Sequence, residues 1–221
     1  MIREVDLDKI SDGRRYGLND LVKADCHDCE GCSFCCSGMG ESILLDPYDG
    51  YRLTGALGRS FEALLEKHLE LHVVDGVILP NLKMEGERDC CTFLNEAGRC
   101  SIHPARPGIC RLFPLGRVYE DGAFQYFLQT KECPKTNRSK VRVKKWIDTP
   151  DIRLNERFVL MWHDFVQKLQ AVLTGQPDME AAKRINLYVL EHFYFREWDR
   201  KRDFYEQFDE RLAEAERALQ P

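Results

Sequence analysis

Cysteine dominates the chemistry open to this chain. Ten of its 221 residues are cysteine, and five of them fall in the eleven-residue run Cys26-His27-Asp28-Cys29-Glu30-Gly31-Cys32-Ser33-Phe34-Cys35-Cys36. The spacing is C-x-x-C-x-x-C-x-x-C-C. Cysteines three apart can turn their sulfurs toward one point. A tetrahedral Zn²⁺ needs that convergence at ~2.3 Å, and the same spacing supplies the first ligands of many iron–sulfur clusters. Cys26, Cys29, Cys32 and Cys36 reproduce a bacterial ferredoxin spacing, but Ser37 stands where proline is expected and no second run follows, which argues against a two-cluster ferredoxin. Adjacent side chains such as those of Cys35 and Cys36 normally diverge, so one ion is not expected to take both. Either one of the pair is spare, or the two serve different ions.

A second group is spread along the chain: Cys90-Cys91-Thr92-Phe93-Leu94, Gly98-Arg99-Cys100-Ser101-Ile102-His103, Arg106-Pro107-Gly108-Ile109-Cys110-Arg111-Leu112-Phe113-Pro114, and Cys133-Pro134. These spacings are too wide for one local knuckle and point to ligands delivered by separate loops. Several thiolates on a divalent ion leave net negative charge, so Arg106 and Arg111 are expected to offset it. His27 and His103 lie within these groups and are read as loop and turn residues, with ligation as the alternative for each. His68, His72, His163 and His192 are read as packing or surface residues on helices or helix ends.

The elements that would carry these groups follow from pattern. Residues 1–25 are expected to form an arm with a short helix. Asp46-Pro47 starts a helix running to about Leu57, and Ser60 caps another through Phe61, Leu64, Leu65 and Leu69 to about Leu71. Asp75-Gly76 between Val73-Val74 and Val77-Ile78-Leu79 predicts a hairpin. Glu120-Asp121-Gly122 predicts another between Leu115–Tyr119 and Phe124–Leu128. Residues 73–128 thus read as a small antiparallel sheet broken by cysteine-bearing loops. Lys140-Val141-Arg142-Val143-Lys144 alternates as an edge strand does. Beyond Asp151 the period is helical: one helix through Leu154, Phe158, Met161, Trp162, Phe165 and Leu169 to Thr174-Gly175, another over about 177–195, and an exposed, charge-laced third over 198–219. The aromatic residues Trp162, Phe165, Tyr188, Phe193, Tyr194 and Trp198 are read as packing between helices, with a ligand pocket as the alternative.

Composition bounds the partners. With 43% hydrophobic and 31% charged residues the chain is globular, and a net charge of −5 excludes a general polyanion binder. Seven basic residues against one acid in Lys131–Lys145 leave a local basic face, read as edge-strand protection before nucleic-acid contact. The charged N-terminus lacks the apolar core of a signal peptide, and no segment has the length of apolar residues a membrane helix needs. The expectation is a cytoplasmic, reducing location without membrane contact, where clustered thiols are metal ligands or redox groups before they are disulfides.

In these motifs the chain resembles the YkgJ-type cysteine-cluster proteins, a family described as a zinc- or iron-chelating domain. The family's C-x-x-C-x-x-C-C signature is similar to Cys29, Cys32, Cys35 and Cys36, and its C-x-F-L, G-x-C-S-I and R-P-x-x-C-R-x-F-P stretches to Cys91 through Pro114. By position the resemblance implies metal ligation by Cys29, Cys32, Cys35, Cys36, Cys91, Cys100 and Cys110, with Cys133 fitting a more variable later cysteine. Cys26 and Cys90 lie outside the pattern, and His103 stands where the family often has tyrosine. The family also includes flagellin lysine N-methylase-like proteins, so an iron–sulfur-dependent enzyme is the alternative to a metal-binding module, although no glycine-rich strand-to-helix motif appears. The expected fold is α+β: an arm (1–25), a cysteine-cluster domain (26–145) and a packed helical region of about three helices (146–221). The expected cofactor is zinc or iron, as an iron–sulfur cluster in one case, and the charged C-terminal helix is the expected surface for a protein partner.

Overall fold

The computed structural model describes residues 6–26, 32–175 and 178–219. In chain order the elements are α1 (Leu7–Ile10), β1 (Leu21–Asp25), α2 (Pro47–Leu57), α3 (Phe61–Leu65), β2 (Leu69–Val74), β3 (Val77–Leu82), β4 (Met84–Glu85), β5 (Cys90–Cys91), α4 (Gly108–Leu112), β6 (Leu115–Glu120), β7 (Ala123–Leu128), β8 (Ser139–Arg142), α5 (Val143–Ile147), α6 (Ile152–Thr174), α7 (Met179–Leu190) and α8 (Phe204–Ala218). The class is α+β. Among the described residues the strands form four two-stranded antiparallel ladders, β1–β8, β2–β3, β4–β5 and β6–β7, where one small sheet was expected.

The chain divides into two compact units that interleave in sequence. One comprises residues 41–83 and 154 onward, and the other comprises residues up to 40 together with 84–153. This grouping cuts across the sequence-based division at 25 and 145: residues 41–83 share a unit with the helices. The cause is visible in the contacts of the β2–β3 hairpin. Its Asp75-Gly76 turn has both residues at positive φ, 50° and 86°, as a two-residue hairpin turn requires. Asn186 of α7 grips it, accepting from the Ile78 N–H at 2.7 Å and donating to the Gly76 carbonyl at 3.0 Å. Tyr194 donates to the Leu45 carbonyl at 2.8 Å, and Leu45 in turn donates to Pro80 of β3.

Asp46 caps α2 in a reciprocal capping box with Asp49, and Ser60 caps α3. The helix expected to run on to Leu71 stops at Leu65. Leu69 begins β2 instead, paired with Leu82, and its burial alternates as a strand's does. The final helix starts at Phe204, capped by Asp203, and not at Trp198. It is also less exposed than expected. Phe204, Phe208, Leu212 and Ala215 are buried, with Phe208 edge-on to Phe158 of α6 at 4.6 Å between ring centroids. The exposed face carries the pairs Arg157–Asp209 and Lys168–Glu216 to α6. Trp162, Phe165, Phe193, Tyr194 and Trp198 are buried, and ring contacts such as Trp162–Phe193 at 5.1 Å show packing. α7 passes into one π-helical turn, Glu191–Phe195. There Arg211 donates to the carbonyls of His192 and Arg196 at 2.8 and 2.9 Å and lies 3.7 Å over the Trp198 ring.

The cysteine-bearing unit has its own core. Tyr16, Val22, Ala24, Leu112, Leu115, Tyr126, Leu128, Val143 and Ile147 pack together. Tyr16 of the arm exchanges backbone hydrogen bonds with Tyr126. β1 pairs with β8, which ends at Arg142, because Val143 turns inward to open α5 and does not extend the edge strand. In β6–β7, Gly116 faces Phe127, whose ring lies where a Cβ would stand, 2.4 Å away, so the pair needs glycine there.

Candidate metal centre

Every described cysteine lies in this one unit, presented by several separate pieces of backbone. Cys35 and Cys36 occupy a single 3₁₀ turn, Phe34–Cys36, closed by the Cys36 N–H on the Ser33 carbonyl at 2.9 Å. In that tight turn the two thiols do not diverge as expected. They hydrogen-bond to each other, and this bond, with burial, raises the Cys35 pKa. Downstream, Gly38 and Gly40 adopt positive φ and dock on Asp89, the first through the Asp89 carbonyl at 2.8 Å, the second through its carboxylate at 3.0 Å. This brings the turn against β5, and Ser37 Oγ sits 3.3 Å from Cys90 Sγ.

Cys91 ends β5 and Cys100 lies across the following turn, the two held together by the Leu94–Cys100 bridge and by the Ser101 N–H on Phe93 at 2.8 Å. Cys110 is carried by α4. Arg111, next to it, is buried, and its guanidinium donates to the carbonyls of Pro104, Arg106 and Asp148. Where charge compensation was expected of Arg111, its guanidinium braces the backbone through these three carbonyls. Arg106 has the expected position. It lines a cavity with the cysteines, hydrogen-bonds His103 Nε2 at 3.0 Å and opposes the burial that raises the pKa of Cys100. His103 is thereby a partner of Arg106, in the turn position expected of it.

The cavity measures about 20 Å³, room for one water-sized body, and is lined by Cys26, Cys32, Cys35, Cys110 and Cys133 with Arg106 and Lys135. Phe113, Pro114 and Trp146 complete the wall, and the indole N–H of Trp146 reaches the Leu112 and Phe113 carbonyls at 3.2 Å. Cys133 has Cys26 and Cys32 as its electrostatic neighbours, whereas Cys91 has Cys100, Cys35 and Cys90. The structure thus gathers two neighbouring sets of thiols, with Cys35 common to both. Cys29 and His27 lie outside the described residues.

One feature of these thiols escaped the sequence reading. Cys91 accepts a hydrogen bond from the backbone of Phe93, Cys100 from Ile102 and Cys133 from Lys135, each from two residues further on. N–H donors aimed at sulfur favour the thiolate. Burial acts in the opposite sense and prevails, so all three pKa values are raised. A bound cation would reverse that balance, because a coordinating thiol is deprotonated outright. Arg138, a charge neighbour of Cys133, has its Nη1 buried without a hydrogen-bond partner among the described residues, a donor for which a thiolate is a fitting acceptor. Among the described residues no three Cys, His, Asp or Glu side chains converge closely enough to hold an ion as they stand. Metal binding is coupled to the ordering of its ligand loops, so closer convergence is expected with metal bound. The donor set, the size of the cavity and the orphaned guanidinium fit a thiophilic ion. Among the described residues, no helix is long and apolar enough to cross a membrane.

No curated protein and no solved structure matches this chain. Residues 28–140 match the family described as "CxxCxxCC: putative zinc- or iron-chelating domain", and with half of its length inside the match the chain belongs to that family.

Proposed function

We propose that this protein binds a transition metal, zinc or iron, through cysteine thiolates, and that the ligands are drawn from Cys29, Cys32, Cys35, Cys36, Cys91, Cys100, Cys110 and Cys133. The observation that carries the reading is the cavity walled by Cys26, Cys32, Cys35, Cys110 and Cys133, brought together by separate loops of one unit. Backbone N–H donors at Cys91, Cys100 and Cys133 favour thiolates beside it. Arg106, Lys135 and Arg138 supply the countercharge that several thiolates on a divalent ion require. The arrangement suits a site that organises its loops and keeps its thiols from oxidation in a reducing cytoplasm. When bound, the ion would supply a fixed positive charge that holds the loops in register.

The test is substitution of a cavity thiol. Cys32→Ser is expected to abolish binding of at least one ion per chain and to lower stability by much of the metal's contribution to folding. Metal content equal to that of the wild type in this variant would refute the assignment of the cavity.

A further inference from the structure

We propose that Cys26, which precedes the family's motif, is itself a metal ligand and completes the cavity set with Cys32, Cys110 and Cys133. The inference rests on the metal-binding reading above. Cys26 lies two residues before the start of the family match at residue 28. Its placement follows from β1. Val22 and Ala24, alternate residues of that strand, are 1% and 0% exposed and belong to the unit's hydrophobic core. Cys26 is the next residue in the same inward row and is 5% exposed, but it faces the cavity, not the core.

Two features aim it there. The β1–β8 register shifts between Val22 and Asp25, an irregularity that re-aims a strand's end. Beyond it the strand is pinned again by the Asp25–Ser139 pair, whose side chains hydrogen-bond at 2.9 Å. The same strand β8 lies just beyond Arg138, whose buried Nη1 lacks an acceptor among the described residues. Cys133 has that guanidinium, Cys26 and Cys32 as its charge neighbours, and the three cysteines line one cavity. A cysteine that merely filled space would extend the apolar row, and the sulfurs of Cys32, Cys35, Cys110 and Cys133 would not share its wall. Cys90, the other cysteine outside the pattern, does not line the cavity: its sulfur lies 3.3 Å from Ser37 Oγ.

The experiment compares full-length wild type, Cys26→Ser and Cys26→His, each purified anaerobically, by elemental analysis and competition with a chromogenic zinc chelator. The expected result is loss of one ion per chain, or at least a tenfold weaker affinity, in Cys26→Ser. Cys26→His, which keeps a competent donor, should recover part of the binding. Wild-type loading and affinity in Cys26→Ser would overturn the inference while leaving the metal-binding reading intact, and a metal-free wild type would overturn both. Should Cys26→Ser not fold, alkylation of the wild type decides. Chelation must expose Cys26 to iodoacetamide at the rate of Cys32 and Cys133, and a Cys26 that stays unmodified while those two react would overturn the proposal.

Discussion

Replacing Arg111 separates a residue that builds the metal centre from one that neutralises it. Its guanidinium is buried and donates to the carbonyls of Pro104 and Arg106, which precede it in the loop between Cys100 and Cys110, and to Asp148 after α5. In Arg111→Met the apolar stem is roughly kept while three charge-assisted hydrogen bonds are lost. Each is worth about 1.5–3 kcal/mol. The buried guanidinium's own desolvation cost is recovered at the same time, so the net loss expected is about 3–5 kcal/mol, set by the three carbonyls left without a donor. At a urea slope of about 2–3 kcal/mol per molar, the unfolding midpoint of the metal-loaded protein should fall by roughly 1–2.5 M with the slope unchanged. Arg111→Lys is the discriminating variant. Lysine keeps the charge but cannot present the planar fork, so it should be nearly as destabilised as the methionine variant. Arg106→Gln should do the reverse, weakening metal affinity roughly 10–100-fold with little change in midpoint, as expected of a group that tunes thiolates from outside the coordination sphere. A full rescue of stability by lysine at position 111 would refute the bracing role and restore charge compensation as the reason for this arginine.

Three further outcomes are expected. Asn186→Ala should destabilise the helical unit by about 2–3 kcal/mol in thermal unfolding, because the Ile78 N–H loses its buried acceptor and the Gly76 carbonyl its donor. Gly76→Ala should also lower the melting temperature, since φ is 86° and an added Cβ would lie 3.1 Å from the Cβ of Leu173. His192 is held below its ordinary pKa of 6.5, chiefly by burial and further by Arg196 and Arg211, against the opposing pull of the Arg211 carbonyl and Glu214. The unfolded chain therefore binds the proton more readily. Its contribution to stability is complete above about pH 6.5 and is lost as pH falls through the lower folded-state pKa, so His192→Gln should flatten the acid limb of a pH–stability curve.

The parts of this fold that could be read from sequence are those whose cause is local. Asp46-Pro47, Ser60, Asp75-Gly76 and Asp121-Gly122 each carry their conformation in their own side chains or their own φ, and each appears where expected. Leu69 satisfies two periods at once: Phe61, Leu64, Leu65 and Leu69 fit a helix while Leu69, Leu71 and Val73 fit a strand. The choice lies with β3, whose Leu82 pairs with Leu69. The pairing of β1 with β8 joins residues more than a hundred positions apart, and neither segment announces the other. For the metal centre, residue type and spacing identified the cysteines but not their grouping. Arg106 and Arg111 are indistinguishable as sequence, and only burial and partners show that one faces sulfur and the other carbonyl oxygen. The N–H donors to Cys91, Cys100 and Cys133 are backbone groups, so side-chain identities carried little sign of them.

The central claim is that the converging cysteine loops hold a metal through thiolates. The direct measurement is anaerobic purification of the full chain followed by elemental analysis and an absorption spectrum of one sample, before and after a strong chelator. The account predicts at least one zinc or iron per chain, with thiolate-to-metal absorption for iron or a colourless solution for zinc, and a rise in titratable thiols when the chelator removes the metal. A chain that folds with no bound metal, takes none up when it is offered under reducing conditions, and shows the same number of reactive thiols with and without chelator would contradict it.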